Sequence, residues 1–148
     1  MGDLENQHKS VVRRFGEALN NRNLDLLDDL VAPDFVRHCQ ATPWIDICSL
    51  DEFKRFLEDD WTGVPDGQTA SRFLFAEGDL VALYCTYAGT QTGHWGPLPP
   101  SGKRVEFDLS GVFRMAGGKI AELWITWDNL AILAQLGHMP PMPDKAVT

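Results

Sequence analysis

The chain changes its hydrophobic period near Gly67, and this change limits the folds that it can adopt. Before Gly67, apolar residues recur at helical spacing over residues 7–20, 23–31 and 50–61. After it, runs of strand length are separated by turns rich in glycine and proline. These four runs cover residues 69–76, 80–92, 103–115 and 119–127. Helices followed by strands that are joined by hairpins predict an α+β fold with an antiparallel sheet.

Local signals mark the ends of the predicted helices. Asn23 is a predicted N-cap for the second helix, and Pro33 ends that helix because its ring and missing N–H do not fit a helix interior. Residues 34–38 then form a short extended piece. Ser49 and Glu52 have the spacing of a capping box, which predicts the start of the third helix.

The length of the chain, 148 residues, predicts one domain over residues 1–148. Its core spans about residues 7–137, and a short helix over residues 129–136 follows the last strand. We expect the proline-rich tail over residues 138–148 to be loose.

The strands around Tyr84 and Trp124 are apolar on both of their faces. An antiparallel sheet with one solvated face would have polar residues at every second position. Three helices can cover one face of the sheet. We therefore expect a second subunit to cover the other face, which gives a homodimer built on the sheet.

Composition excludes several classes of partner. The formal charge of −8 and the pI near 4.8 argue against nucleic acids and anionic membranes, which both require positive potential. Neither an export signal nor an apolar stretch of about 20 residues is evident, so we expect a cytoplasmic protein. Cys39, Cys48 and Cys85 are then reduced thiols, and the scattered histidines do not indicate a metal site.

The segment E-L-W-I-T-W-D-N-L, residues 122–130, places a carboxylate directly after a tryptophan-rich strand. Asp128 can cap the helix that follows, because aspartate is a favoured N-cap residue. It can also be a working acid, because burial beside Trp124 and Trp127 would raise its pKa toward neutrality. Both readings fit the local pattern.

Several motifs in order resemble the SnoaL-like polyketide cyclase (ester cyclase) family over residues 11–137. The most specific are P-S-G-K-R-V-E-F and the ending W-D-N-L-A-I-L-A-Q-L-G; V-P-D-G, A-E-G-D-L-V-A and F-R-M-A-G-G-K-I-A-E-L-W accompany them. The resemblance implies a nuclear-transport-factor-2-like cone, in which a curved sheet wraps around helices and encloses an apolar pocket. It also implies an enzyme of lyase or isomerase type, which closes a ring of a small hydrophobic polyketide-like substrate by intramolecular aldol condensation without metal or organic cofactor. The acid/base aspartate of the family matches Asp128.

The side chains that share a face with Asp128 depend on the hairpin at residues 116–118. A two-residue turn would bring Phe107, Leu109, Gly111 and Phe113 beside Trp124 and Asp128. A three-residue turn with Gly118 left-handed shifts the register by one residue and is favoured by the position of that glycine. It would instead bring over Glu106, Asp108, Ser110, Val112 and Arg114. Asp108 or Glu106 could then raise the pKa of Asp128, and Arg114 could lower it.

Other candidate site residues follow from their positions in this fold. His38, on the extended piece, is a candidate catalytic group that donates to a substrate carbonyl. His94 and Gln91 are candidate polar contacts at the pocket rim. Phe35, Trp61, Trp95 and Trp124 are candidate apolar contacts of the substrate.

Two further functions remain open. Arg104, Glu106, Asp108 and Asp128 could imitate an epoxide hydrolase of this fold, or the pocket could bind a small hydrophobic molecule without catalysis. The chain departs from the family pattern where an acid is common, at Gly111, and where polar helpers are expected, at Val112.

Overall fold

The helices and strands follow one another in the predicted order, and the α+β class is confirmed. The computed structural model describes residues 2–140 and residue 143, so most of the tail that we expected to be loose lies outside the described residues. The elements are α1 (Asp3–Asn20), α2 (Leu27–Leu30), β1 (Val31–His38), α3 (Leu50–Gly63), β2 (Gln68–Glu77), β3 (Leu80–Thr90), β4 (Arg104–Ala116), β5 (Lys119–Trp127) and α4 (Asn129–Gln135).

Ser49 is the N-cap of α3 as predicted, but the reciprocal half of the capping box is shifted by one residue, from the Ser49 amide to the Cys48 amide. The Ser49 hydroxyl oxygen accepts a hydrogen bond from the Glu52 amide at 3.1 Å. The Glu52 carboxylate in turn accepts from the Cys48 amide at 3.3 Å. One backbone donor that a helix start leaves unpaired, the Glu52 amide, is thus satisfied, which stabilises the start of α3.

Strand β1 is longer than the extended piece that the sequence indicated. The second helix is correspondingly shorter than predicted, because only Leu27–Leu30 is helical and Val31 already belongs to β1. β1 adds a fifth strand to the sheet, in the order β1-β5-β4-β3-β2, and pairs with β5 in parallel. Pro33 is tolerated because β1 is an edge strand whose register is interrupted between Val31 and Val36.

The hairpin between β4 and β5 combines a two-residue turn with a bulge. Gly117 and Gly118 form the turn with φ of 59° and 78°, so the predicted three-residue turn is wrong. Ala121 is an extra residue on β5, because Arg114 pairs with Glu122 and Met115 pairs with Ile120. The bulge shifts the register by one residue, so that Val112 pairs with Trp124. The pairing favoured from the sequence is therefore confirmed, although the turn that was expected to produce it is not present.

One face of the sheet is covered by helices and forms the core. Phe15 of α1 stacks on Phe53 of α3, at 5.9 Å between ring centroids, and meets the edge of Phe113 of β4 at 5.4 Å. A second apolar cluster fills the end of the sheet beneath α4, where Ile132 and Leu136 are buried with Phe107. Burial of each such large side chain contributes about 1.5–3 kcal/mol. We call the helix-covered side the inner face.

The opposite, outer face of the sheet carries exposed apolar side chains. Phe73 is 55% exposed, Phe75 67% and Trp124 41%. Phe73, Phe75 and Tyr84 line a shallow groove of about 240 Å³ that extends to Val112. None of the helices formed by the described residues has both the length and the hydropathy needed to cross a bilayer.

Candidate functional site

The sheet divides the predicted site residues between its two faces. His38, Trp124, Asp108 and Arg114 lie on the outer face, because β4 and β5 pair Val112 with Trp124 and β1 pairs His38 with Trp124. The inner face and its helices hold a smaller set, which consists of Phe35, Trp61 and Gln91. His94 is exposed in the loop between β3 and β4. The structure therefore brings only some of the predicted residues together.

On the outer face, Glu122 joins two of the predicted residues. Its carboxylate oxygens lie 2.6 Å from Nε2 of His38 and 3.0 Å from Nε of Arg114. The His38 ring also stacks on Trp124, at 5.2 Å between centroids. Hydrogen bonds from His38 and then Arg114 hold the pKa of Glu122 below its ordinary value, so this carboxylate is a charged acceptor rather than a base near neutrality.

Asp108 is a second low-pKa carboxylate on the outer face. It accepts hydrogen bonds from the hydroxyl groups of Tyr84 at 2.7 Å and Thr86 at 2.8 Å, and these bonds lower its pKa. Arg104 and Glu106 are exposed as well. The residues that could imitate an epoxide hydrolase are therefore on the solvent side of the sheet.

Asp128 is the N-cap of α4. Its carboxylate accepts a hydrogen bond from the Ala131 amide at 3.2 Å, and the residue is exposed. The expected burial beside the tryptophans is wrong, because the strand ends at Trp127 and the side chain turns to the first turn of the helix. Asn129 fixes the same junction: it accepts from Trp127 Nε1 at 2.9 Å and donates to the Ala41 carbonyl at 2.6 Å.

The inner side also holds a carboxylic acid that is not among the candidates predicted from the sequence. Asp60, near the end of α3, accepts a hydrogen bond from Nε1 of Trp95 at 2.6 Å. Burial raises the pKa of Asp60 above its ordinary value, and this effect outweighs the opposing influences of Trp95, Arg22 and Arg37. A carboxyl group with a raised pKa can both accept and return a proton at near-neutral pH.

The end of α3 is docked closely against the loop that carries Trp95. The amides of Thr92 and Gly93 both donate to the Gly63 carbonyl at 3.1 Å. A Cβ added at Gly63 would lie 2.7 Å from the His94 carbonyl oxygen and 2.8 Å from Cβ of Trp95, so only glycine allows this approach. The absence of a side chain at Gly63 thus lets Trp95 reach Asp60.

Arg37 is a buried cation on the same side. It is 6% exposed, and its guanidinium carbon lies 4.4 Å from the ring centroid of Phe56 and 5.6 Å from that of Trp127. Nη1 donates to the Thr42 hydroxyl at 3.3 Å. Burial lowers the pKa of Arg37 from its ordinary value, with Cys39 and Asp60 acting in the opposite direction. A buried guanidinium among aromatic rings is a strong potential partner for an anionic group.

Two further polar atoms lack partners among the described residues. The Tyr87 hydroxyl is buried without a hydrogen bond, although its ring packs at 5.1 Å from Phe107 and 6.1 Å from Trp95. Burial raises the pKa of Tyr87 far above its ordinary value, so it remains a neutral donor. Gln91 donates to the carbonyls of Leu98 and Pro99, but its Oε1 accepts no bond. Unpaired buried polar atoms are rare in folded proteins.

We call Arg37, Asp60, Tyr87, Gln91 and Trp95 the inner polar layer. They lie on the inner side of the sheet, and the aromatic contacts above link them to the cluster beneath α4. The layer combines an acid of raised pKa, a buried cation and two unpaired hydrogen-bonding atoms. Such a combination is typical of a site at which protons are transferred in an apolar environment.

The model of one protein family covers nearly the whole chain. The SnoaL-like polyketide cyclase family model matches residues 9–136. The chain belongs to this family. None of the curated proteins that were compared matches its sequence.

Solved structures of several family members and neighbours superimpose closely. AclR of Streptomyces galilaeus, a proposed hydroxylase, is 27% identical with a TM-score of 0.80, over 94% of this chain and 86% of that one. IdmH of Streptomyces antibioticus, a proposed polyketide cyclase, is 29% identical with a TM-score of 0.79, over 88% and 99%. A proposed SnoaL-like polyketide cyclase of Jannaschia sp. CCS1 is 21% identical with a TM-score of 0.85, over 95% and 98%, which shows the shared fold.

The comparisons confirm the nuclear-transport-factor-2-like fold and place this family member among enzymes. The neighbours carry different proposed activities, a cyclase and a hydroxylase among them. A shared fold does not determine the reaction. The reaction must therefore be argued from the inner polar layer of this chain.

The sequence contains patterns that predict a buried position for two residues of the inner polar layer. Asp60 follows Phe53 and Leu57 at helical spacing, which places it on the buried stripe of α3. Arg37 alternates with Phe35 in β1 and so points to the same side as that core residue. A charge on an otherwise apolar stripe is more informative than one at an element boundary, such as Asp128.

Proposed function

We propose that this family member is a cofactor-independent cyclase that closes a ring by intramolecular aldol addition, with Asp60 as its acid/base. The observation that carries the proposal is the environment of Asp60. Among the described carboxyl groups whose pKa departs clearly from the ordinary value, Asp60 alone has a raised pKa; those of Glu5, Asp66, Asp108 and Glu122 are lowered. Proton abstraction next to a carbonyl is favoured by a carboxylate whose pKa has been raised toward working pH.

The reaction requires one proton to be moved twice. The Asp60 carboxylate takes a proton from the carbon next to one carbonyl, and the resulting enolate carbon attacks a second carbonyl carbon of the same molecule. A carbon–carbon bond forms, the second carbonyl becomes an alkoxide, and that alkoxide takes the proton from Asp60. No electrons enter or leave, so the step is an isomerisation that requires no external oxidant or reductant.

The other residues of the layer support this role. Trp95 Nε1 fixes the orientation of the Asp60 carboxyl through their 2.6 Å hydrogen bond. The Tyr87 hydroxyl is a neutral donor without a hydrogen-bond partner among the described residues, and in our proposal it bonds a carbonyl or enolate oxygen of the substrate. Phe107 and Trp127, 6.5 Å apart between centroids, provide apolar surface for the hydrocarbon of a polyketide-like substrate.

Asp128 remains the rival acid/base, because the family motif matches it. In our proposal its role is to position α4: as N-cap it fixes the helix whose Ile132 and Leu136 pack with Phe107. The two assignments predict different results for substitution of each aspartate.

The proposal can be tested with 2,6-heptanedione, a small diketone that closes to a cyclohexenone by intramolecular aldol condensation. Asp60→Asn should lower kcat/KM by about 10²–10⁴-fold, the usual contribution of general acid–base catalysis. The amide oxygen of asparagine can still accept from Trp95, so the fold should be retained, as judged by circular dichroism.

Asp59→Asn is the matched control, because Asp59 is the exposed neighbour of Asp60 on the same helix. It makes the same change of charge and should leave the rate within about twofold, as surface substitutions usually do. The proposal is wrong if Asp60→Asn retains the rate, if both variants lose it equally, or if the natural chain does not accelerate ring closure beyond buffer.

A further inference from the structure

The buried cation of the inner polar layer, Arg37, has no counter-ion in the part of the chain that the structure describes. Among residues 2–140 and residue 143, the salt bridges join other pairs, and no carboxylate oxygen lies within 4.0 Å of a nitrogen of Arg37. Asp60 is close enough to influence the pKa of Arg37 but too far away to form a salt bridge with it. An unpaired buried charge is costly, and folded proteins usually provide a partner for it.

The guanidinium also has unused hydrogen-bonding capacity. It carries five N–H donors in one plane, a geometry that matches the two oxygens of a carboxylate. Within the described part of the chain, its side chain makes one hydrogen bond, the 3.3 Å bond to the Thr42 hydroxyl. The aromatic rings of Phe56 and Trp127 pack against the guanidinium but accept no conventional hydrogen bond.

We propose that Arg37 binds a carboxylate of the substrate, so that the enzyme acts on a free polyketide-like acid rather than on its ester. This inference rests on the proposed function, because it assigns a substrate class to the same inner site. The carboxylate oxygens accept from the guanidinium N–H groups that the bond to the Thr42 hydroxyl leaves unused. The bound anion also brings a second negative charge near Asp60, which favours the protonated form of Asp60 and so assists its abstraction of the substrate proton.

The charge of the whole chain makes this preference informative. The chain carries a formal net charge of −8, so its overall field disfavours anions relative to neutral esters. A preference for the acid must therefore come from a local cation. Arg37 is the cation of the inner polar layer and provides one.

The test compares two ligands that differ only at the carboxyl group, 1-hydroxy-2-naphthoate and its methyl ester, by isothermal titration calorimetry. The natural chain should bind the acid at least about tenfold more tightly than the ester, a difference of about 1.4 kcal/mol. Arg37→Met, which replaces the cation with an apolar chain, should lose this preference while its affinity for the ester stays the same. Arg37→Lys should retain part of the preference for the acid, because the positive charge remains. It should lose the rest, because lysine lacks the paired N–H donors of the guanidinium.

Arg13→Met is the matched control, since Arg13 is exposed on α1, and it should keep the full preference. The inference is wrong if the natural chain binds both ligands equally, prefers the ester, or binds neither. It is also wrong if Arg37→Met keeps the preference. Should Arg37→Met fail to fold, Arg37→Lys decides the matter: an undiminished preference in this variant would contradict recognition by the guanidinium fork.

Repeating the titrations with Asp60→Asn separates this inference from the proposed function. Removal of a nearby negative charge should leave the affinity for the acid the same or increase it, even though turnover is lost. An acid preference that depends on Arg37 supports the anion site whether or not Asp60 proves to be the acid/base. Loss of turnover in Asp60→Asn without an acid preference supports only the proposed reaction.

Discussion

Replacement of Gly63 by alanine should destabilise the protein and disconnect Trp95 from Asp60. The added Cβ would lie 2.7 Å from the His94 carbonyl oxygen and 2.8 Å from Cβ of Trp95, whereas ordinary contacts begin at 3.4 Å. Both neighbours belong to a loop whose backbone is bonded to the end of α3 through the Gly63 carbonyl. They must therefore move by several tenths of an ångström, and the 2.6 Å bond from Trp95 to Asp60 moves with them.

The size of the effect follows from three contributions. Overpacking of a closely fitted site costs about 1–3 kcal/mol. Loss of a hydrogen bond to a charged group costs about 1.5–3 kcal/mol. Alanine regains at most about 1 kcal/mol as a better helix former than glycine. We expect a net loss of about 1.5–5 kcal/mol in the free energy of unfolding, which is roughly 3–20 °C in Tm for a chain of this length.

Urea unfolding followed by circular dichroism measures this loss as a lower midpoint at constant slope. Gly16→Ala is the matched control, because Gly16 lies in the interior of α1 with no atom within 4 Å of an added Cβ. It should stabilise the protein by about 0.5–1 kcal/mol. If Gly63→Ala is as stable as the natural chain, the close docking of α3 on the loop is not what holds Trp95 against Asp60.

The remaining predictions concern the acid and the outer face. Because the pKa of Asp60 is raised in the folded state, folding is stabilised below the ordinary aspartate pKa of 3.8, and this contribution is lost as pH rises through the folded pKa. Asparagine does not titrate, so the urea midpoint of Asp60→Asn should rise relative to that of the natural chain as pH increases above the ordinary aspartate pKa; a difference that stays constant with pH would contradict the raised pKa. The exposed apolar side chains of Phe73, Phe75 and Trp124 lead us to propose a homodimer through the outer face. Sedimentation should give a dimer for the natural chain and a monomer for Phe75→Asp; a natural chain that is monomeric at high concentration would refute this.

The order of elements could be predicted from the sequence because it depends on local patterns. The change of hydrophobic period and the capping box at Ser49 place α3 and the four strands within about two residues of their observed bounds. The fifth strand could not be predicted in this way. β1 pairs with β5 across some ninety residues of chain, and its own sequence contains a proline that indicates a helix end.

The site was harder to predict because side-chain direction depends on tertiary context. The pattern around Asp128 fits a cap and a buried acid equally, and the choice is made by where α4 begins. Register on the outer face required the Ala121 bulge, which no turn signal reveals. Asp60 and Arg37 could have been predicted from the sequence, since helical spacing and strand alternation place them on buried faces.

The central claim, that Asp60 is the acid/base, is tested most directly by the rates of Asp60→Asn and Asp128→Asn on the same diketone. Asparagine caps a helix about as well as aspartate, so Asp128→Asn should keep α4 in place. We predict that kcat/KM falls by about 10²–10⁴-fold in Asp60→Asn and changes by no more than about threefold in Asp128→Asn. The reverse result, with turnover lost in Asp128→Asn and retained in Asp60→Asn, would contradict the assignment.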